Sequence, residues 1–346
     1  MKVVRTEDAV GHILPHDMTR IVKDVVKERA FKKGHVITEE DIPVLLSMGK
    51  EHIYVMELED DDLHENDCAI ILKDICINEH MHSSDIKEGK IEIISDVDGF
   101  LKVDRDRLFR LNSIDDISIA TVLGNQPVRK GQKIAGMRII PLFTKEKVMN
   151  DAKKIMNGVP ILEIIPFDTT KKCSIITTGS EVYKGLIKDQ FGPVLKQKMN
   201  DYNCEVINHV IVDDNSENIT REINKALENK SDIILVSGGM SVDPDDMTPR
   251  AIKDSKADVI TYGSPVLPGA MFMLAYKNNT AIMGLPGCVM FNKSTVFDII
   301  LPYIFANIKV TKDMINSLGY GGFCMQCSEC HFPNCEYGKG LWWVRL

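Results

Sequence analysis

Apolar and polar positions divide the chain into stretches of different period. From Lys171 to about Asn307, short apolar runs alternate with helical spacers. "CSIITTG" reads as a strand entering a turn, "DQFGPVLKQKMNDY" as a helix and "EVINHVIVDD" as a strand. "ENITREINKALENK" is again helical, and "DIILVSGG" is a strand. Strands this apolar, separated by helices, predict a mostly parallel sheet covered on both faces, a three-layer α/β domain. Upstream, from Cys68 to about Pro166, the runs "CAIILKDICI", "KIEIISD", "ISIATVL" and "QKIAGMRIIPLF" read as strands, with one short helix at "RDRLFRLNSI". The first sixty residues form a mixed pattern. "FKKGHVITEEDIPVLLSMGKEHIYV" has a turn at Gly34, a short strand, a helix opened by Thr38 and Asp41, a stop at Gly49 and a new strand. The predicted organisation is a mixed α+β unit over 1–66, a β-rich domain over 67–168, the α/β domain over 169–310 and a tail over 311–346.

Composition narrows the classes of function. The chain has 346 residues, 44% of them hydrophobic and 27% charged, as in soluble globular proteins of more than one domain. A net charge of −8 without a recurring basic face argues against nucleic acid as a partner. The start, "MKVVRTEDAV", has no continuous apolar region, and "STVFDIILPYIFANI" is broken by Asp298 and Pro302 and is too short to span a bilayer. These features predict a cytoplasmic protein without membrane partners. Of nine cysteines, Cys68, Cys76, Cys173, Cys204 and Cys288 stand singly and read as reduced thiols.

Ligands of parallel α/β sheets bind beyond the carboxyl ends of the strands. That rule selects "TTGSE", "VDDN" and "SGGMSVDPDD". The first offers Thr177, Thr178, Gly179, Ser180 and Glu181, the second Asp213 and Asp214, and the third Ser237, Gly238, Gly239, Met240 and Ser241 with Asp243, Asp245 and Asp246. Carboxylates alone repel a phosphate. With Mg²⁺ between them they become ligands, while glycine N–H groups and hydroxyls hold phosphate oxygens. The competing structural reading makes these acids helix caps, Asp214 or Asn215 for "ENITREI" and Asp246 for "TPRAI". "GLPG" places Gly284, Pro286 and Gly287 at a turn ahead of a long helix beginning near Cys288, a geometry suited to anions.

"TTGSE", Asp189 in "GLIKDQFGPVL", "VDDN", "SGGMSVDPDDMT" and "GLPG", in that order, resemble the molybdopterin-binding domain shared by molybdopterin adenylyltransferases, molybdopterin molybdenumtransferases and gephyrin. The resemblance covers about 140 residues, Lys171 to Ile308, and the total length is more like that of the multidomain molybdenumtransferases. It implies binding of molybdopterin or adenylyl-molybdopterin, cleavage of the phosphoanhydride with release of AMP, and Mg²⁺-dependent insertion of molybdate. It also implies Asp246, Asp214 and Glu181 as catalytic acids, the first two holding Mg²⁺. Thr178, Gly179, Ser180, Asp189, Ser237, Gly238, Gly239, Met240, Ser241, Gly284, Pro286 and Gly287 become ligand-holding positions. A homo-oligomer and a target molybdoenzyme are the implied partners. The chain departs from the pattern at Asp243, at "PGAMF" (268–272) in place of "KPGKP", at "GLPGC" in place of "GLPGNP", and in lacking a "DGYA" segment. Alternative readings are a molybdopterin adenylyltransferase, a nucleotide pyrophosphatase, or a non-catalytic cofactor-binding protein.

"CMQCSECHFPNC" sets Cys324, Cys327, Cys330 and Cys335 in a C-x2-C-x2-C-x4-C array. The first three match the spacing with which ferredoxins wrap a [4Fe–4S] cluster. Zn²⁺ held by all four, or by three with His331, is the alternative, and free thiols the plainest reading. An iron–sulfur site there would act as a sensing or docking element.

Overall fold

The computed structural model describes residues 2–22, 26–56, 59–241, 243 and 246–340; among residues 20–29 only the backbone of the paired strands is described up to Arg29. The chain forms two compact units. The first takes in residues 1–96, 103–122 and 130–164, and the second residues 97–102, 123–129 and 165–346.

The first unit is built from small sheets and helices. Lys2–Arg5 pairs antiparallel with His52–Val55, and Met18–Val22 with Val26–Phe31. Leu14, Ile37, Leu45 and Val55 lie in a common core. The helix Asp41–Ser47 has Glu40, not Thr38, at its N-cap and no side-chain cap bond; of the expected capping box only the return half forms, with Asp41 Oδ2 accepting from the Thr38 N–H and hydroxyl, both at 2.8 Å. A four-stranded antiparallel sheet orders Met81–Ser83, Ile91–Ser95, Lys133–Ile139 and Ile117–Thr121. "CAIILKDICI" is not a strand but the body of the helix Glu65–Cys76. Its buried positions Cys68, Ala69, Leu72, Ile75 and Cys76 recur at helical spacing, and the His64 imidazole accepts from the Asn66 N–H at the N-terminus.

In the second unit the strands and helices are numbered from its main sheet: β1 (Lys172–Thr178), α1 (Ser180–Tyr183), α2 (Phe191–Asn200), β2 (Glu205–Val212), α3 (Ser216–Glu228), β3 (Ile233–Ser237), α4 (Thr248–Asp254), β4 (Asp258–Tyr262), β5 (Met273–Lys277), β6 (Thr280–Leu285), α5 (Val296–Phe305) and α6 (Lys312–Ser317). The sheet order is β2-β1-β3-β6-β5-β4. The first four strands run parallel, and β5 and β4 close one side antiparallel. The sheet is thus mostly parallel, as predicted, with an antiparallel margin that the sequence pattern did not separate.

One face of the sheet buries Ile175, Leu235, Leu274 and Met283 against Leu195, Phe297 and Leu301, while Ile176, Val236 and Ile282 on the other meet Ile219, Ile223 and Ile252. Alternate strand residues therefore point to opposite apolar layers, which is why these strands read as continuous runs. Helix α5 starts at Val296, not near Cys288. Its entry is a capping box in which Thr295 Oγ1 accepts from the Phe297 N–H and the Thr295 N–H donates to Asp298. The residues just after "GLPG" form only a short 3₁₀ turn, Gly287–Met290, so the proline turn does not lead directly into the long helix. Among the described residues, no helix is long and apolar enough to cross a membrane.

Candidate functional site: a rim of four parallel strand ends

Sheet register brings the predicted motifs together. Thr178 is paired with Val212, Thr177 with Ser237, and Ser237 with Leu285. The four parallel strands therefore stop at one level. Beyond it stand Asp213 and Asp214 after β2, Gly179 and Ser180 after β1, Gly238 and Gly239 after β3, and Pro286 and Gly287 after β6. The chain leaves β1 to reach β2 on one side and then crosses to β3 on the other, so this rim is a topological switch point, where such sheets open a crevice.

The rim is lined by close backbone and unused hydroxyls. Gly238 and Gly239 have φ of +95° and +54°. A Cβ on Gly238 would stand 2.4 Å from the Thr178 carbonyl oxygen, so only glycine lets these two strand ends approach. The loop is pinned from below, where the Thr248 hydroxyl donates to the Gly238 carbonyl at 2.8 Å and the Thr248 N–H to the Gly239 carbonyl at 3.2 Å. Met240 is buried against Gly284, whose missing side chain makes room for the Met240 sulfur. Ser241 is exposed, and its carbonyl accepts from the Tyr262 hydroxyl at 3.2 Å. Thr178 Oγ1 and Ser237 Oγ are buried and have no hydrogen-bond partner among the described residues. Buried polar atoms are normally paired, so two partnerless hydroxyls on neighbouring strand ends mark acceptor or donor capacity held for something else.

The acids take distinct places. Asp214 Oδ2 accepts from the Ser180 N–H at 2.7 Å, tying the end of β2 to the turn after β1. The cap of α3 is Asn215, which accepts from the N–H groups of Glu217 and Asn218, and Asp213 accepts from the Asn218 side chain at 2.7 Å. Helix α4 has Met247 at its N-cap and no side-chain cap bond. Neither Asp214 nor Asp246 is therefore a helix cap. Asp246 lies half-buried, and burial together with its charge raises the pKa of Tyr262. Asp243 is exposed and uses its carbonyl to accept from the Asp246 N–H at 3.0 Å. Asp245 lies outside the described residues. Glu181 is exposed on the single-turn helix α1.

Asp189 sits under the rim and organises it. Its Oδ1 accepts from the N–H groups of Phe191 at 2.8 Å and Gly192 at 3.1 Å, fixing the start of α2. Its Oδ2 lies 3.1 Å from His209 Nε2 and 3.4 Å from Thr177 Oγ1, and the imidazole is itself 3.1 Å from that hydroxyl. Burial, aided by the Lys196 charge, holds the His209 pKa below its ordinary value, with Asp189 offsetting only part of the shift. His209 was absent from the sequence-derived set. Its strand is partly exposed along its length, so no alternation singles it out.

The four tail cysteines line a single cavity of about 340 Å³, together with His331 and residues 291–294 of the loop that follows the proline turn. Among the described residues, no three His, Cys, Asp or Glu side chains are gathered closely enough to hold a single metal ion.

A mostly parallel α/β sheet with a glycine-lined rim at its switch point is the class that fold and site define. Within it, residues 174–306 match the family described as a probable molybdopterin binding domain. Residues 3–57 match a domain of unknown function. Among curated relatives, a CinA-like protein of Pseudothermotoga lettingae is 39% identical over 85 residues, 25% of this chain and 21% of that protein. A molybdopterin molybdenumtransferase of Staphylococcus epidermidis is 26% identical over 121 residues, 33% of this chain and 29% of that enzyme. The chain thus spans less than a third of the length of these relatives. Among solved structures, the tungsten cofactor synthesizing protein MoaB from Pyrococcus furiosus is 19% identical with a TM-score of 0.33, covering 39% of this chain and 93% of that one. The protein CinA from Thermoplasma acidophilum is 20% identical with a TM-score of 0.31, covering 35% and 90%.

Proposed function

We propose that this protein binds adenylated molybdopterin at the four-strand rim and promotes Mg²⁺-dependent molybdate insertion with release of AMP. The observation that carries the reading is the pair of partnerless buried hydroxyls, Thr178 Oγ1 and Ser237 Oγ, beside the glycines that open the rim. Phosphate oxygens of the ligand would satisfy them, along with the N–H groups of Gly238 and Gly239. Pro286 and Gly287 would bound the opposite end.

Mg²⁺ takes one or two carboxylates and completes its shell with water and substrate phosphate, so a three-carboxylate cage is not needed. Asp214 and Asp246, neither used as a cap, come from the strands on either side of β1 and fit that donor set. Bound there, the ion neutralises charge on the phosphoanhydride. Asp214 also holds the Ser180 N–H turned into the rim. Glu181 would position the pterin or the molybdate oxyanion. Molybdate is then the second substrate, and a molybdoenzyme the acceptor of the product.

A second reading, cofactor binding without turnover, is favoured by the loop at Leu267 and Pro268. It holds "PGAMF" where molybdenumtransferases often show lysines, and it is occupied by pairing with the tail, with Leu267 beside Phe323. Both readings require the ligand to bind. Titration of adenylated molybdopterin into the full chain with Mg²⁺, followed by pterin fluorescence, should show saturable binding that weakens when Mg²⁺ is chelated. A flat titration would overturn both.

A further inference from the structure

We propose that Cys324, Cys327, Cys330 and Cys335 hold a cubane iron–sulfur cluster in the cavity they share beside the proline turn. The cavity is built by a tail that is locked at both ends and open in the middle. At one end the Leu267 N–H donates to the Gly322 carbonyl and the Cys324 N–H to the Leu267 carbonyl, both at 2.8 Å, as in a short parallel pairing. At the other, Tyr337 is buried, its hydroxyl donating to the Pro268 carbonyl at 3.0 Å. The next residue, Gly338, packs so closely on Ile299 that a Cβ would come within 2.5 Å of it. Cys324 and Cys335 are thereby set on the α/β domain, while Cys327 and Cys330 are exposed on the segment between them. Cys330 Sγ lies 3.5 Å from Ser294 Oγ, which ties that segment to the loop after the proline turn.

The arrangement favours a cluster over a single ion. Tetrahedral Zn²⁺ with bonds of about 2.3 Å requires its sulfurs to crowd to within roughly 4 Å of one another. Among the described residues, no three His, Cys, Asp or Glu side chains are placed to hold one metal ion. In a cubane each cysteine ligates a different iron, so the sulfurs stand farther apart around a larger body, and C-x2-C-x2-C spacing with all four cysteines lining one cavity supplies that ligand set. The surround is also apolar. Phe291, Phe323 and Met325 border the cavity and remain 82%, 72% and 72% exposed, an unfavourable placement that a cluster needing shelter from water would explain.

Iron, zinc and acid-labile sulfide are to be measured on the full chain purified without oxygen, with visible absorption recorded. The expected result is about four irons and four sulfides per chain, with thiolate-to-iron absorption. Cys327→Ser and Cys330→Ser change exposed side chains and should each lose most of the iron while melting as the parent does. Zinc without sulfide would overturn the proposal. So would a protein without metal, or iron content untouched by both substitutions.

Discussion

Two hydroxyls show what the rim costs and what it is for. Thr178 Oγ1 and Ser237 Oγ are buried without partners, and an unsatisfied buried group costs roughly 1–3 kcal/mol. Thr178→Val and Ser237→Ala should therefore leave the ligand-free protein as stable or more stable, read as an unchanged or raised Tm, while weakening molybdopterin binding. A lowered Tm with unaltered binding would show that they only pack. Residue identity at this scale was legible in sequence where chemistry is local. "TTGSE", "VDDN" and "SGG" announce glycine, hydroxyl and carboxylate at strand ends. What each acid bonds to was not legible. Asp214 and its neighbours Asp213 and Asn215 are equivalent candidates in sequence, and only the fold sends Asp214 to the Ser180 N–H, Asp213 to Asn218 and Asn215 to the cap.

At the scale of elements, the join between β1, β2 and α2 depends on the Thr177, Asp189 and His209 cluster. The pKa of His209 is lowered in the folded protein, chiefly by burial. The unfolded chain, with an ordinary imidazole pKa near 6.5, therefore binds more protons than the folded one as pH falls through that value. Stability from the neutral His209 is present above about pH 6.5 and lost on acidification below it. Thermal melts between pH 5 and 8 should show this slope, and His209→Gln should flatten it; an unchanged slope would remove His209 as its source. Sequence periodicity located β1 and β3 because both are buried on both faces, and β2, though partly exposed, because it is a β-branched run between helical spacers. It misread Cys68–Ile77, where a strongly apolar helix offers as many β-branched and small residues as a strand. It also placed the long final helix too early, since nothing in "GLPGCVMFNKS" marks the 3₁₀ turn before Thr295.

On the scale of the whole second unit, the tail and the rim share a loop. Pro286 and Gly287 form the proline turn after β6, and residues 291–294 a few positions on line the cysteine cavity. Tail residues also pair with the Leu267 loop, Leu267 standing opposite Phe323. The cysteine spacing was plain in the sequence, but its return to that loop was not, because the pairing of Leu267 with Phe323 joins residues with no shared motif. The central claim is that the rim turns over adenylated molybdopterin, and AMP release tests it most directly. With adenylated molybdopterin, Mg²⁺ and molybdate, the protein should release AMP, and Asp246→Asn should keep its binding and its melting temperature while losing about 10²-fold or more of that rate. Tight binding without AMP release by the parent protein, or equal release by Asp246→Asn, would contradict the account.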